Sequence, residues 1–144
     1  MKIELFVLCD AATDYQGKLN VLGTFDTIWA KKMPAVHPQC AIALRIRFMK
    51  MEEGAHAVKI NIVDEDGKGV VPPLEAGVNI RFKDTPLTSL AANMIFNLQG
   101  LKFPKQGEYA VDLAIDGRHE ASLPLYINPV PQIDNSGFQM PPSN

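Results

Sequence analysis

Only two cysteines, Cys9 and Cys40, occur in the 144 residues. Two are too few for a disulfide framework. Both lie inside apolar runs, where a free thiol behaves as a small hydrophobe, and a single bond between neighbouring strands is the most the count allows. Long hydrophobic runs are also missing, so no segment spans a bilayer. The apolar stretch Leu5-Phe6-Val7-Leu8-Cys9 resembles a secretory signal at first sight. Glu4 interrupts it, it is short, and no small-residue cleavage site follows. Val7-Leu8 are too large for the site before a lipoprotein cysteine. A soluble, cytoplasmic protein with no membrane contact is expected.

Charge of one sign is scarce as well. The net charge is −2, and the longest basic cluster is Lys31-Lys32. Nucleic-acid binding needs clustered Lys and Arg against the phosphates, so no nucleic acid is expected. The three histidines, His37, His56 and His119, lack the spacing of a zinc site. His37 falls between Val36 and Pro38, and His119 follows a turn, so both are expected at the surface. No Gly-x-Ser-x-Gly elbow occurs and no Gly-rich loop opens a helix, which removes the common serine nucleophile and phosphate cradle. Desolvation in apolar strands keeps the thiols inert. No cofactor is implied.

What remains is an ordinary globular composition, 47% apolar and 21% charged, in a chain of single-domain length with room for a core. Alternation of apolar and polar residues dominates it. Residues 2–10, 19–30, 39–50, 58–62, 74–82, 109–115 and 123–127 read as strands. Gly23 interrupts the second and marks a β-bulge or a close backbone approach. Residues 10–18 read as a loop with Asp14 and Gly17 as its turn formers, and Pro34 and Pro38 bracket a second loop over 31–38. Across Glu52-Glu53-Gly54, two alternating runs predict an antiparallel hairpin. Asp116-Gly117 predicts a tight hairpin turn. Residues 85–99 fit a helix capped by Thr85-Pro86 and fit a strand equally. A strand from about Leu90 is preferred, because its neighbours on both sides are strands. Tyr109 after Gly107 resembles the corner tyrosine of Greek-key domains. The expected fold is all-β: a single antiparallel β-sandwich of about eight strands, Greek-key or immunoglobulin-like. It occupies residues 1–128, and a Pro-rich tail, extended or flexible, occupies 129–144.

The stretch from Cys9 to Asp26 is richest in residues with a positional reason to be there. Asp10, Asp14 and Asp26 could supply oxygen ligands to a hard cation. Alternatively, Asp10 and Asp14 fix the loop by bonding its backbone. Asp64-Glu65-Asp66-Gly67 begins like a calcium loop, but Lys68 stands where a ligand is required, so a solvated turn is expected. Trp29, with Lys31 and Lys32, could form a binding platform, or it anchors the second strand at the rim of the core.

These residues also carry a resemblance. Cys9-Asp10-Ala11-Ala12 followed by Gly17-Lys18-Leu19-Asn20-Val21-Leu22-Gly23-Thr24-Phe25-Asp26 is similar to a motif of a family of uncharacterised bacterial proteins, a domain of unknown function. Leu101-Lys102-Phe103-Pro104, Gly107-Glu108-Tyr109 and Asp116-Gly117 echo it later. The resemblance implies a β-sandwich and brings no activity, cofactor or catalytic residue. The expected function is a non-catalytic binding or assembly module, whose partner is an unknown protein or a second copy of the chain. The alternative is a ligand- or metal-dependent protein, including a hydrolase, that uses Asp10, Asp14 and Asp26.

Overall fold

A computed structural model describes residues 1–131. It holds nine strands: β1 (Lys2–Tyr15), β2 (Lys18–Thr24), β3 (Thr27–Ala30), β4 (Ala35–Met49), β5 (Gly54–Val63), β6 (Leu74–Ile80), β7 (Ser89–Phe103), β8 (Gly107–Ile115) and β9 (Arg118–Pro129). One 3-10 turn, Lys50–Glu52, follows β4, and no α-helix occurs among the described residues. The fold is all-β, and the ambiguous 85–99 segment enters a strand. The strands form two sheets, ordered β2-β1-β4-β7 and β3-β9-β8-β5-β6.

One core lies between the sheets. Ile42, Leu44, Ile46 and Phe48 of β4 meet Val58, Ile60 and Ile62 of β5, Val111 and Leu113 of β8, and Leu125 and Ile127 of β9. These are the alternating rows seen in the sequence. Full burial of each such side chain is worth about 1.5–3 kcal/mol. Tyr109 joins this core, and its hydroxyl donates to the Lys105 carbonyl at 2.6 Å, which ties the strand to the turn before it. Asp116-Gly117 forms the β8–β9 turn as expected, with positive φ at both residues.

Several expectations are corrected. The second strand is two strands in different sheets, which raises the count from about eight to nine. The chain changes sheet at Phe25-Asp26, where Phe25 N–H donates to the Leu8 carbonyl (3.0 Å) and Tyr126 N–H donates to the Asp26 carbonyl (2.7 Å). The second sheet is not purely antiparallel, because β3 runs parallel to β9 from Thr27↔Tyr126 to Ala30↔Pro129. No hairpin joins β4 to β5, since they lie in opposite sheets. Alternation reveals a half-buried strand but not its partner. There the 3-10 turn carries the chain across. Glu52 Oε1 accepts from Met49 N–H and from the Met1 ammonium, and Glu53 Oε1 accepts from Phe82 N–H.

The expected 10–18 loop is mostly strand, because β1 runs on to Tyr15 and β2 starts at Lys18, and the 31–38 loop is shorter than expected, because β4 already starts at Ala35. Pro38 is tolerated inside it because the β1 ladder stops at Cys9↔Ala41, which leaves one side of β4 unpaired there. At its other end the chain continues β9 through Asn128 and Pro129, and Val130 N–H donates to the Ala30 carbonyl. The rest of the Pro-rich tail, 132–144, lies outside the described residues.

Candidate functional site

The Cys9–Asp26 stretch is built on a change of partner. β1 pairs with β4 from Lys2↔Arg47 to Cys9↔Ala41. From Cys9↔Thr24 to Tyr15↔Lys18 it pairs with β2. Beyond Cys9 the chain is therefore a two-stranded ribbon. That ribbon folds back over the outer face of the first sheet. Its Ala12, Leu19 and Val21 pack with Leu5, Val7 and Ile95 around fully buried Cys9, Ala41 and Ala43. Ala41 and Ala43 point away from the main core, and their small side chains let the ribbon lie close.

The ribbon tip confirms the path. Asn93 belongs to β7, two strands from β1, and pairs with Arg45. Its Nδ2 donates to Asp14 Oδ2 (3.2 Å) and to the Gly17 carbonyl (3.1 Å). Its Oδ1 accepts from Arg45 Nη1 at 2.9 Å. Arg45 and Arg47 together clasp Glu4, with Nε distances of 2.9 and 2.8 Å. Hydrogen bonding to Arg47, more than to Arg45, holds the Glu4 carboxyl below its usual range. Arg47 also donates to Ser89 Oγ. One polar network thus ties β1, β4, β7 and the ribbon tip. Asn93→Ala is expected to release the tip at a cost of about 1 kcal/mol. Amide hydrogen exchange should then quicken at residues 14–18 and not in the main core.

The fold separates the predicted acidic residues. Asp14 stays at the tip, where its Oδ1 accepts from Gly17 N–H (3.0 Å), the backbone role open to it in the sequence. Asp10 lies four residues back along the same strand, roughly 13 Å away by strand rise. It faces Gly23, where a Cβ would come within 2.6 Å of Asp10 Oδ2 and φ is +69°. The interruption is therefore a close approach by a side chain in left-handed backbone. Gly23→Ala is expected to destabilise by about 1–2 kcal/mol, and Asp10→Ser in the same chain should recover the steric part but not the backbone part. Thermal melts of the single and double variants separate the two. Asp26 sits in the sheet-to-sheet link, its Oδ1 accepting from Thr27 Oγ1 at 2.8 Å. Among the described residues no group of three or more His, Cys, Asp or Glu is placed to hold a metal ion. Trp29 is half-buried on β3 and lines a groove of about 310 Å³ with Lys31, Lys32, Pro34 and Val36. Asp64 makes the solvated turn, its Oδ1 accepting from Asp66 and Lys68 N–H at 2.9 Å.

Two histidines carry features the sequence did not expose. His37 is not at the surface but 2% exposed. Its ring lies 5.5 Å from that of Phe25, and neither ring nitrogen has a hydrogen-bond partner among the described residues. Burial pushes its pKa down, against the pull of the Asp10 charge and the nearby Gln39 backbone. Asp10 also bears on Cys9 and Cys40. Their thiols are pushed up chiefly by burial, Cys40 to about 11. Both cysteines are free, and at neutral pH they remain protonated.

His56 stacks on Phe48 (4.6 Å) with both nitrogens engaged. Nδ1 lies 2.7 Å from Asp116 Oδ2, and Nε2 lies 2.6 Å from the Glu52 carbonyl. Both partners are acceptors, so the doubly protonated ring is the form that satisfies both bonds. Its pKa is raised, first by the Asp116 hydrogen bond. A His-Asp pair acts as a general base only through a free second nitrogen, and here the Glu52 carbonyl occupies it. The pair holds structure.

No curated protein matches the chain. The ribbon motif and the later turn residues lie within residues 4–128, which match the model of a family of unknown function (DUF6941), and the chain belongs to that family.

Proposed function

We propose that this chain is a non-catalytic binding module, a cytoplasmic β-sandwich that uses the outward face of the β1–β2 ribbon to contact a partner protein. One observation carries the reading: Tyr15 and Leu22, 66% and 69% exposed, lie on the ribbon face opposite the one packed on Cys9. Large apolar side chains held on an anchored ribbon lose little entropy on contact, and Tyr supplies both area and a polar tip. The Tyr109 hydroxyl bond to Lys105 supports the Greek-key reading of the sandwich. Tyr15→Ala with Leu22→Ala should keep the melting temperature within about 2 °C, since exposed positions contribute little. The double variant should also lose the partners that the native chain captures from its own cells. Equal capture by both proteins would remove the ribbon from the reading.

The acidic alternative at Asp10, Asp14 and Asp26, with Trp29 at the neighbouring groove, has its own test. A cation bound by the folded state raises the melting temperature by mass action. On the binding-module reading, millimolar Ca²⁺ or Mg²⁺ leaves it unchanged. A rise that disappears in Asp10→Asn/Asp14→Asn would restore the alternative.

A further inference from the structure

A sheet edge is a row of unpaired backbone groups, and soluble proteins blunt such edges with shortness, charge, proline or twist. Three of the four edges here are treated in this way. β3 spans four residues. β6 spans seven, with Glu75 and Gly77 inside it. β2 also spans seven, carries Lys18, and belongs to the folded-back ribbon. The fourth edge, β7, is 15 residues long. From Ser89 to Leu101 it holds no charged residue and no proline. Its first kink is at Gly100, with φ +63°, so the stretch before it is an unprotected edge.

The side chains on this edge are incompletely covered. Leu90, Ala92, Met94 and Phe96 point toward the main core yet are only partly buried. Ile95, on the other face, is partly buried against the second cluster. Apolar groups half-covered on both faces, beside backbone donors and acceptors that no strand among the described residues pairs, describe an edge that gains from one more strand.

We propose that β7 pairs antiparallel with β7 of a second copy of this chain, joining the two four-strand sheets into one. The uncharged edge is self-complementary, because a two-fold axis brings no like charges together over residues 89–101. Registers that set a residue opposite itself, such as Met94 against Met94, keep both cores on the same side of the joined sheet, because paired residues share a face. About ten ladder hydrogen bonds form in place of bonds to water, and the half-covered row from Leu90 to Phe96 is completed. This surface is separate from the ribbon face, so either reading stands without the other.

The test is the mass of the full chain by sedimentation, read with amide hydrogen exchange. The native protein is expected to be a dimer at micromolar concentration, with amides protected on both sides of β7. In Ala91→Glu/Asn97→Glu, the carboxylate introduced in place of Ala91 lies across from Arg47 within the chain, so the fold is kept. In the Met94 register, Ala91 of each copy stands opposite Asn97 of the other. The variant therefore sets two carboxylates face to face at two places, and dimerisation should weaken by about tenfold or more. Tyr15→Ala/Leu22→Ala should leave the mass unchanged. A monomer in which alternate β7 amides exchange freely would overturn the proposal. So would a dimer with that same exchange pattern, because it would pair elsewhere. If the glutamate variant fails to fold, the exchange pattern of the native protein still decides.

Discussion

Replacing His37 with leucine is expected to stabilise the protein by about 1–3 kcal/mol. A buried polar group without a partner costs that much, and an apolar side chain of similar size removes the cost. For a domain of this size the melting temperature should rise by roughly 3–10 °C. Most core substitutions lower stability, so the sign alone makes the test a sharp one. The pH dependence adds a second reading. Unfolded, the imidazole takes its proton near its ordinary value of 6.5, while in the fold burial holds the pKa lower. Below pH 6.5 the unfolded chain therefore binds more protons, and stability falls as the pH falls. His37→Leu should flatten that acid limb. A loss of stability in the leucine variant would show that the ring makes a bond in solution that the buried setting conceals.

The second large effect lies at His56. His56→Ala removes two charge-assisted hydrogen bonds and the stack on Phe48, and about 2 kcal/mol should be lost, on the order of 6 °C. Its pH dependence has the opposite sign to that of His37. The folded-state pKa of His56 is raised, so its contribution is complete below 6.5 and is lost as the pH rises through the folded value. The Asp116 carboxyl is lowered, first by its bond to His56. Its contribution is complete above the ordinary 3.8 and is lost as the pH falls through the lowered value. The pair is therefore at full strength between about pH 3.8 and 6.5. Thermal melts of the native protein should show stability declining on both sides of about pH 6.5. His56→Gln should remove the alkaline limb and leave the acid limb. An unchanged alkaline limb in that variant would assign it to another group.

Much of the molecule was readable in the residue order. Strict alternation in β4 named its inward row, Cys40 to Phe48. Turn chemistry placed the Asp116-Gly117 turn. Gly23 marked a break in the alternation, though what approaches it is the Asp10 side chain and not a backbone, and Asp14 was read as bonding its loop backbone. Each rests on a local rule of strand period, positive φ or an Asx bond, and such rules act within a few residues. Even His37 follows one, though the sequence hid it. The inward face steps by three residues between His37 and Cys40 opposite the Gly100 kink, so simple alternation misplaces the ring.

What the amino-acid order determined by itself was an all-β chain with its core rows and its tight turns. Partner choice was decided only in three dimensions. Nothing local tells β4 that its neighbours are β1 and β7 and not β5, or tells β3 to run parallel to β9. Those outcomes depend on which apolar rows meet when the sheets close over one core. The same closure leaves β1 free beyond Cys9, and its ribbon turns back because Ala41 and Ala43 offer a second apolar floor. The tip then meets Asn93, a residue 79 positions from Asp14. It also sets His56 against Asp116, 60 positions away. Side-chain type and period are local properties of the chain, while burial and pairing belong to the closed pair of sheets.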